Sequence, residues 1–148
     1  MIIETLTWGT LDISEEQVYR FSRGIPGFEE ETEFAVIRVE EGPFSYLQSL
    51  KNHSLSFLLS DPFVFYPSYE FELPDSDKEE LEIEDDVIVL SMVTIREELE
   101  QSTLNLLAPI VLNPGKHTGK QTVLHKSAYG TRHHLWNAPK GEFKKGGE

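Results

Sequence analysis

Turn residues recur roughly every ten positions along this chain, and the runs between them alternate apolar and polar side chains, the pattern of half-buried strands. Residues 2–6 set Ile2, Glu4 and Leu6 against Ile3, Thr5 and Thr7, and after a turn at Trp8-Gly9 residues 10–13 predict the return strand. A polar turn at Ser14-Glu15-Glu16 leads into a third short strand over 17–22. Residues 34–39 are apolar on both faces except at Arg38, residues 44–50 follow Gly42-Pro43, and residues 55–59 place Leu55, Phe57 and Leu59 on one face. Asp61-Pro62 ends that strand, because proline brings no ladder donor and its predecessor avoids the helical region. Residues 63–71, aromatic and interrupted by Pro67, predict an extended edge segment. Residues 87–95 form the most core-like strand, with Val87-Ile88-Val89-Leu90 continuous and apolar. Residues 104–108 and 110–112 read as strand broken at Pro109, and Asn113-Pro114-Gly115 turns the chain into a last strand over 118–125.

Helix signals are few. Residues 75–80 follow Pro74, with Asp75 or Ser76 available as a cap and acids in the first turn, where the helix dipole favours them. A second helical turn is predicted within 95–102, since Thr94 and Glu97 have capping-box spacing. Short strands without a βαβ rhythm predict a mainly β fold: a compact antiparallel β-barrel-like or sandwich domain with one or two short helices. The expected organisation is a single domain over residues 1–135 and a flexible C-terminal tail over 136–148, where Pro139, Gly141, Gly146 and Gly147 sit among charges.

Charge narrows the function classes. Residues 1–113 carry 24 acidic and 6 basic side chains, a net of −18, whereas residues 114–148 are net +5, giving −13 for the chain. So negative a body repels phosphate backbones and suits a basic protein partner, so direct nucleic-acid binding is not expected. Nine Phe, five Tyr and two Trp distinguish the chain from a disordered acidic one. No apolar stretch approaches a membrane span, and Met1-Ile2-Ile3-Glu4 has no basic region followed by an apolar run. With no cysteine, neither disulfides nor thiol chemistry are available, and a cytoplasmic location is expected.

Candidate chemistry is thin. His53, His117, His125, His133 and His134 lack zinc-type spacing; His133 and His134 read as surface residues near the chain end. The acidic run from Asp75 to Asp86 lacks the glycine of a calcium loop and holds Leu81 and Ile83, so it reads as a solvated helix and connection. Ser127 has no nucleophile elbow, and Gly24-Ile25-Pro26-Gly27 has neither a following lysine nor a strand–loop–helix frame. No metal, cofactor or catalytic residue is therefore assigned, and no enzyme is expected. Phe63, Phe65, Tyr66, Tyr69 and Phe71 offer aromatic anchors beside Glu70 and Glu72; Phe63 and Phe65 read as core, while Tyr69 is equally suited to core and interface.

Several segments in order resemble the flagellar assembly factor FliW family. They are Phe21 with Gly24-Ile25-Pro26-Gly27-Phe28, Phe44 with Leu47-Gln48-Ser49, and Asp61-Pro62 with Tyr66-Pro67 and Tyr69. Asn105-Leu106, Ala108-Pro109-Ile110, Asn113, and Gln121 with Val123-Leu124 complete the series. The resemblance implies a small β-barrel-like protein of the bacterial cytoplasm with two partners, the RNA-binding translational repressor CsrA and flagellin. It further implies antagonism of CsrA, so that flagellin messenger is translated until accumulating flagellin captures the antagonist. Tyr69, Glu70, Glu72 and the loop around Asn105 are the expected partner-facing residues. The alternatives are a flagellin chaperone alone, whose grooves receive a terminal helix, and a carbohydrate-binding or hydrolytic barrel using a carboxylate pair. A direct nucleic-acid binder would have only residues 114–135 to work with.

Overall fold

The structure, a computed structural model, describes residues 1–124 and 127–135. A hairpin of β1 (Ile2–Thr5) and β2 (Gly9–Asp12) precedes a 3-10 turn at Glu15–Gln17 and strands β3 (Val18–Arg20), β4 (Glu33–Arg38), β5 (Phe44–Ser49) and β6 (Ser56–Ser60). Two short helices follow, α1 (Pro62–Phe65) and α2 (Asp75–Glu80), then β7 (Ile88–Thr94), a 3-10 turn at Leu99–Gln101, β8 (Thr103–Leu104), β9 (Ile110–Asn113), β10 (Thr118–Gln121) and β11 (His133–His134).

Strands β3, β4, β5, β6, β7, β9 and β10 pair in that order and close into a seven-stranded barrel. Six of the pairings are antiparallel; the seventh, β10 on β3, is parallel and registers Thr118 against Arg20. At that seam the Arg20 amide donates to the His117 carbonyl (2.8 Å), and His117 Nδ1 lies 3.1 Å from the Val18 carbonyl. Strand alternation decides the interior: Tyr19 and Phe21, Phe34, Leu47, Leu59, Leu90, and Ile110 and Leu112 point inward from successive strands. Gly119 faces Phe21 across the seam, where a Cβ would approach the Phe21 ring to 2.5 Å and Leu112 Cδ2 to 2.9 Å. A side chain there would collide with the largest residue filling that side of the core.

Two outer layers cover the barrel wall. The β1–β2 hairpin lays Ile3 and Ile13 on Ala35, the outward face of β4, and its Trp8 ring meets Tyr46 of β5 edge-on at 4.5 Å. The aromatic run after β6 packs Tyr69 with Leu104, Leu106 and Leu135 outside β7. An ion cluster ties α2 to the wall: Lys120 Nζ on β10 bonds the carboxylates of Asp77 and Glu80 (2.8 Å to the latter). Burial opposes the charge on Lys120, but hydrogen bonds to Asp77 and Glu80 and their negative charges outweigh it, so its pKa is raised.

Several expectations need correction. Residues 62–65 are not an extended edge but a helical turn: Asp61 caps it through Oδ1 to the Phe63 amide (2.9 Å), and Pro62 occupies the first helical position. Helix α2 spans the expected residues, yet its cap is Pro74, with no side-chain bond from Asp75 or Ser76. The turn near residue 100 is capped by Glu98, not by a Thr94–Glu97 box. Residues 105–108 leave the strand, and His133 and His134 are half-buried in β11, paired with β8, rather than at the surface. His125 and the tail over 136–148 lie outside the described residues. Among the described residues, no helix is long and apolar enough to cross a membrane.

The seam makes a direct prediction. Gly119→Val should lower the unfolding free energy by about 1–3 kcal/mol, because the added methyls must displace Phe21 or open the ring. Urea unfolding checks it, and stability equal to the parent's would mean that the seam holds slack it does not display.

Candidate functional site

Of the 24 acidic side chains before Pro114, 20 are exposed, so the body's negative charge is displayed over its outside rather than gathered in a cleft. Glu70 and Glu72 belong to this exposed set. They stand on either side of Phe71 in the segment after α1, and the Glu70 amide donates to the Tyr129 hydroxyl (3.1 Å).

Tyr69, beside them, is only 3% exposed. Its hydroxyl donates to the Leu106 carbonyl (2.8 Å), and its ring packs edge-on against Tyr129 at 4.7 Å. Burial, with the Tyr129 hydroxyl nearby, pushes its pKa far above the ordinary tyrosine value. Tyr69 therefore positions Glu70 from beneath and does not offer its own ring. Asn105 is half-buried, and its Oδ1 accepts from the amides of Leu107 (3.1 Å) and Ala108 (3.0 Å), a side-chain turn that shapes the loop between β8 and β9. The four residues expected to face a partner thus divide into two exposed acids and two residues that hold the backbone.

The last described segment is stapled to this layer. The Tyr66 hydroxyl donates to the His134 carbonyl (2.6 Å), and the amides of Leu106 and Leu107 both donate to the Gly130 carbonyl (3.1 and 3.0 Å). The Gly130 amide donates to His133 Nε2 (2.8 Å), which requires that nitrogen to be unprotonated. Burial, and then repulsion from His134, lower the His133 pKa in the same sense.

Other chemistry finds little support. Asp77 and Glu80 meet, but Lys120 lies between them, which makes an ion cluster and not a general acid–base pair. Ser127 Oγ accepts from the Tyr129 amide as a turn residue. Among the described residues, no three His or acidic side chains gather in metal-holding geometry.

One feature went unread in the sequence. A groove of about 1080 Å³ opens at one barrel mouth, where the β4–β5 loop, α1 and the start of β7 meet. Phe63, Val64 and Ile88 line it while 41%, 57% and 40% exposed. The available signal was Asp61-Pro62, which is a helix start as well as a strand stop. The helical turn directs Phe63 and Val64 outward.

Comparison with known proteins adds an independent line. The family model described as FliW protein matches residues 2–135. The flagellar assembly factor FliW of Bacillus pumilus (strain SAFR-032) is 46% identical over 138 residues, covering 91% of this chain and 96% of that protein. That of Bacillus subtilis (strain 168) is 45% identical over 136 residues, covering 90% and 95%. A crystal structure of the flagellar assembly factor FliW superposes with a TM-score of 0.85 at 39% identity, covering 91% of this chain and 96% of that one.

The His133 contact predicts a pH dependence. With the folded pKa below the unfolded one, the unfolded state takes up the proton more readily, so stability is lost as pH falls through about 6.5 toward the folded value. Urea unfolding at pH 7.5 and 5.5 should show a smaller loss for His133→Gln than for the parent. An identical pH response in the two would remove His133 as the cause.

Proposed function

This chain belongs to the FliW family of flagellar assembly factors, and from that premise we propose that it is a non-enzymatic antagonist of the translational repressor CsrA that also binds flagellin. The observation carrying this reading is the net charge of −18 over residues 1–113, with 20 of the 24 acidic side chains there exposed on a small barrel. An RNA-binding repressor presents basic surface to its messenger, and an acidic barrel complements that surface. Long-range attraction speeds encounter and orients the approach, and short-range contacts then hold the complex. Once docked, the acidic body disfavours RNA phosphates within a Debye length of about 8–10 Å, so RNA is opposed even where its site is not covered. Flagellin binding completes the circuit: accumulating flagellin takes up the antagonist and returns the repressor to the messenger. The site of action in this reading is the bacterial cytoplasm, where repressor, messenger and unexported flagellin coexist.

Glu70 and Glu72 are the acids assigned to the repressor-facing surface. They are exposed, and the Glu70 amide is held by the Tyr129 hydroxyl.

The parent protein should bind purified repressor with an association rate constant that falls at least ~10-fold between 50 and 500 mM salt, whereas flagellin binding should change little. Changing Glu70 and Glu72 together to Lys should weaken repressor binding about 10-fold without altering thermal stability. Stopped-flow and calorimetric titrations read both. A flat salt response would sink charge-guided docking, and unchanged affinity would remove the two glutamates from the surface.

A further inference from the structure

The segment leading into β11 is held to the outer layer through one turn, and that turn depends on the protonation state of a single ring. The Gly130 carbonyl accepts from the amides of Leu106 (3.1 Å) and Leu107 (3.0 Å), so one peptide orders the loop that leaves β8. One residue earlier, the Tyr129 hydroxyl accepts from the Glu70 amide (3.1 Å), and its ring packs edge-on against Tyr69 at 4.7 Å. The Gly130 amide in turn donates to His133 Nε2 (2.8 Å), which closes the chain over 130–133 and sets the Gly130 carbonyl against the layer. Beyond this turn the segment is anchored: Leu135 is 2% exposed, and its amide donates to the Ser102 carbonyl (3.2 Å).

A proton on Nε2 turns that acceptor into a donor facing another donor. The Gly130 amide then loses its partner, and the new charge is half-buried. The rings that meet His133 bring no compensating charge: they are Tyr66, from the end of α1, at 5.5 Å between centroids and Tyr129 at 6.0 Å. Across the strand pair it faces Leu104 of β8. Burial, and then the neighbouring His134, are the influences on the ring, and both favour its neutral form. The charged groups nearby lie outward: Arg132 is exposed and shares a cleft with Arg96, Glu97, Glu98 and His134, and Glu70 and Glu72 are exposed on the segment beside Tyr129. The protonated ring is therefore better solvated away from the layer than against it, and falling pH favours release of the turn.

We propose that residues 129–133 are an acid-released clasp on the Glu70–Glu72 segment, pivoting on Leu135: a proton taken up at His133 Nε2 opens the turn, and the amides of Glu70, Leu106 and Leu107 lose their acceptors together. The opening is local, and the barrel, closed by the seam between β3 and β10, stays intact beneath it.

Amide hydrogen exchange on the full chain, corrected for the intrinsic pH dependence of exchange, reads the clasp directly. From pH 7.5 to 5.5, protection at Glu70, Leu106 and Leu107 should fall at least ~3-fold. Exchange at these three amides should be insensitive to low urea, whereas amides of β4 and β5 should show the steep urea dependence of global unfolding. His133→Gln, which keeps an uncharged acceptor at every pH, should abolish the pH response at all three. Tyr129→Phe, which removes only the hydroxyl, should lower protection of the Glu70 amide at both pH values and leave the response of Leu106 and Leu107 as in the parent, so the clasp is tested even if His133→Gln does not fold. Protection that is independent of pH in the parent, the parent's response in a folded His133→Gln, or a urea slope equal to that of β4 and β5 would each overturn the clasp. A Glu70 amide unchanged by Tyr129→Phe would overturn its hold on the Glu70 segment. None of these readouts involves a partner, so their failure would leave the antagonist reading standing.

Discussion

The rest of the molecule depends on the fit between Phe21 and Gly119. A strand ring closes only if its first and last members meet, and here they meet through a short parallel seam with a single registered pair, Thr118 and Arg20. Such a seam contributes few ladder hydrogen bonds, so packing must hold it. Phe21 supplies that packing by filling the core at the seam, and Gly119 admits it by presenting no side chain. The His117 carbonyl and ring add two polar contacts on the same side, so the turn before β10 reinforces the closure.

Closure matters because both outer layers rest on walls that only a closed ring makes rigid. The hairpin needs Ala35 facing outward beneath Ile3 and Ile13, and the aromatic layer needs Val89 and Val93 facing outward beneath Tyr69 and Leu106. Each barrel strand is thus apolar on both faces where a layer covers it. That explains the continuous Val87-Ile88-Val89-Leu90 run: Leu90 enters the barrel, Val89 meets the aromatic layer, and Ile88 is left at the open mouth.

Most strands were legible because each carries its own period-two alternation, a local property. Residues 34–39 and 44–50 match β4 and β5 to within a residue for this reason. Pairing is not local, and nothing in the alternation of residues 118–121 indicates that they lie parallel to β3 and not beside another hairpin arm. The short β11 strand was illegible for a related cause: two histidines have no alternation of their own and become a strand only because β8 offers an unpaired edge. The aromatic run misled through degeneracy. Phe63 and Tyr69 are chemically similar, and which one is buried depends on whether Asp61-Pro62 ends a strand or starts a helix. It does both, so Phe63, expected in the core, turns outward, and Tyr69, equally suited to core and interface, is buried. The same degeneracy hid the candidate groove, while Glu70 and Glu72, whose charge keeps them in water, were legible as surface.

Long-range and short-range forces are set on different parts of the molecule. Charge acts over a Debye length and tolerates imprecise placement, so twenty exposed carboxylates can be scattered over loops and strand edges and still sum to one negative field around the barrel. Apolar contact acts only at van der Waals distance and needs a fixed surface. The apolar edge is set on ordered elements: α1 is capped by Asp61, Ile88 pairs with Leu112 of β9, and the groove floor is the barrel core itself. The small barrel therefore combines a solvated acidic exterior with an apolar mouth, and the seam at Gly119 holds that mouth in shape.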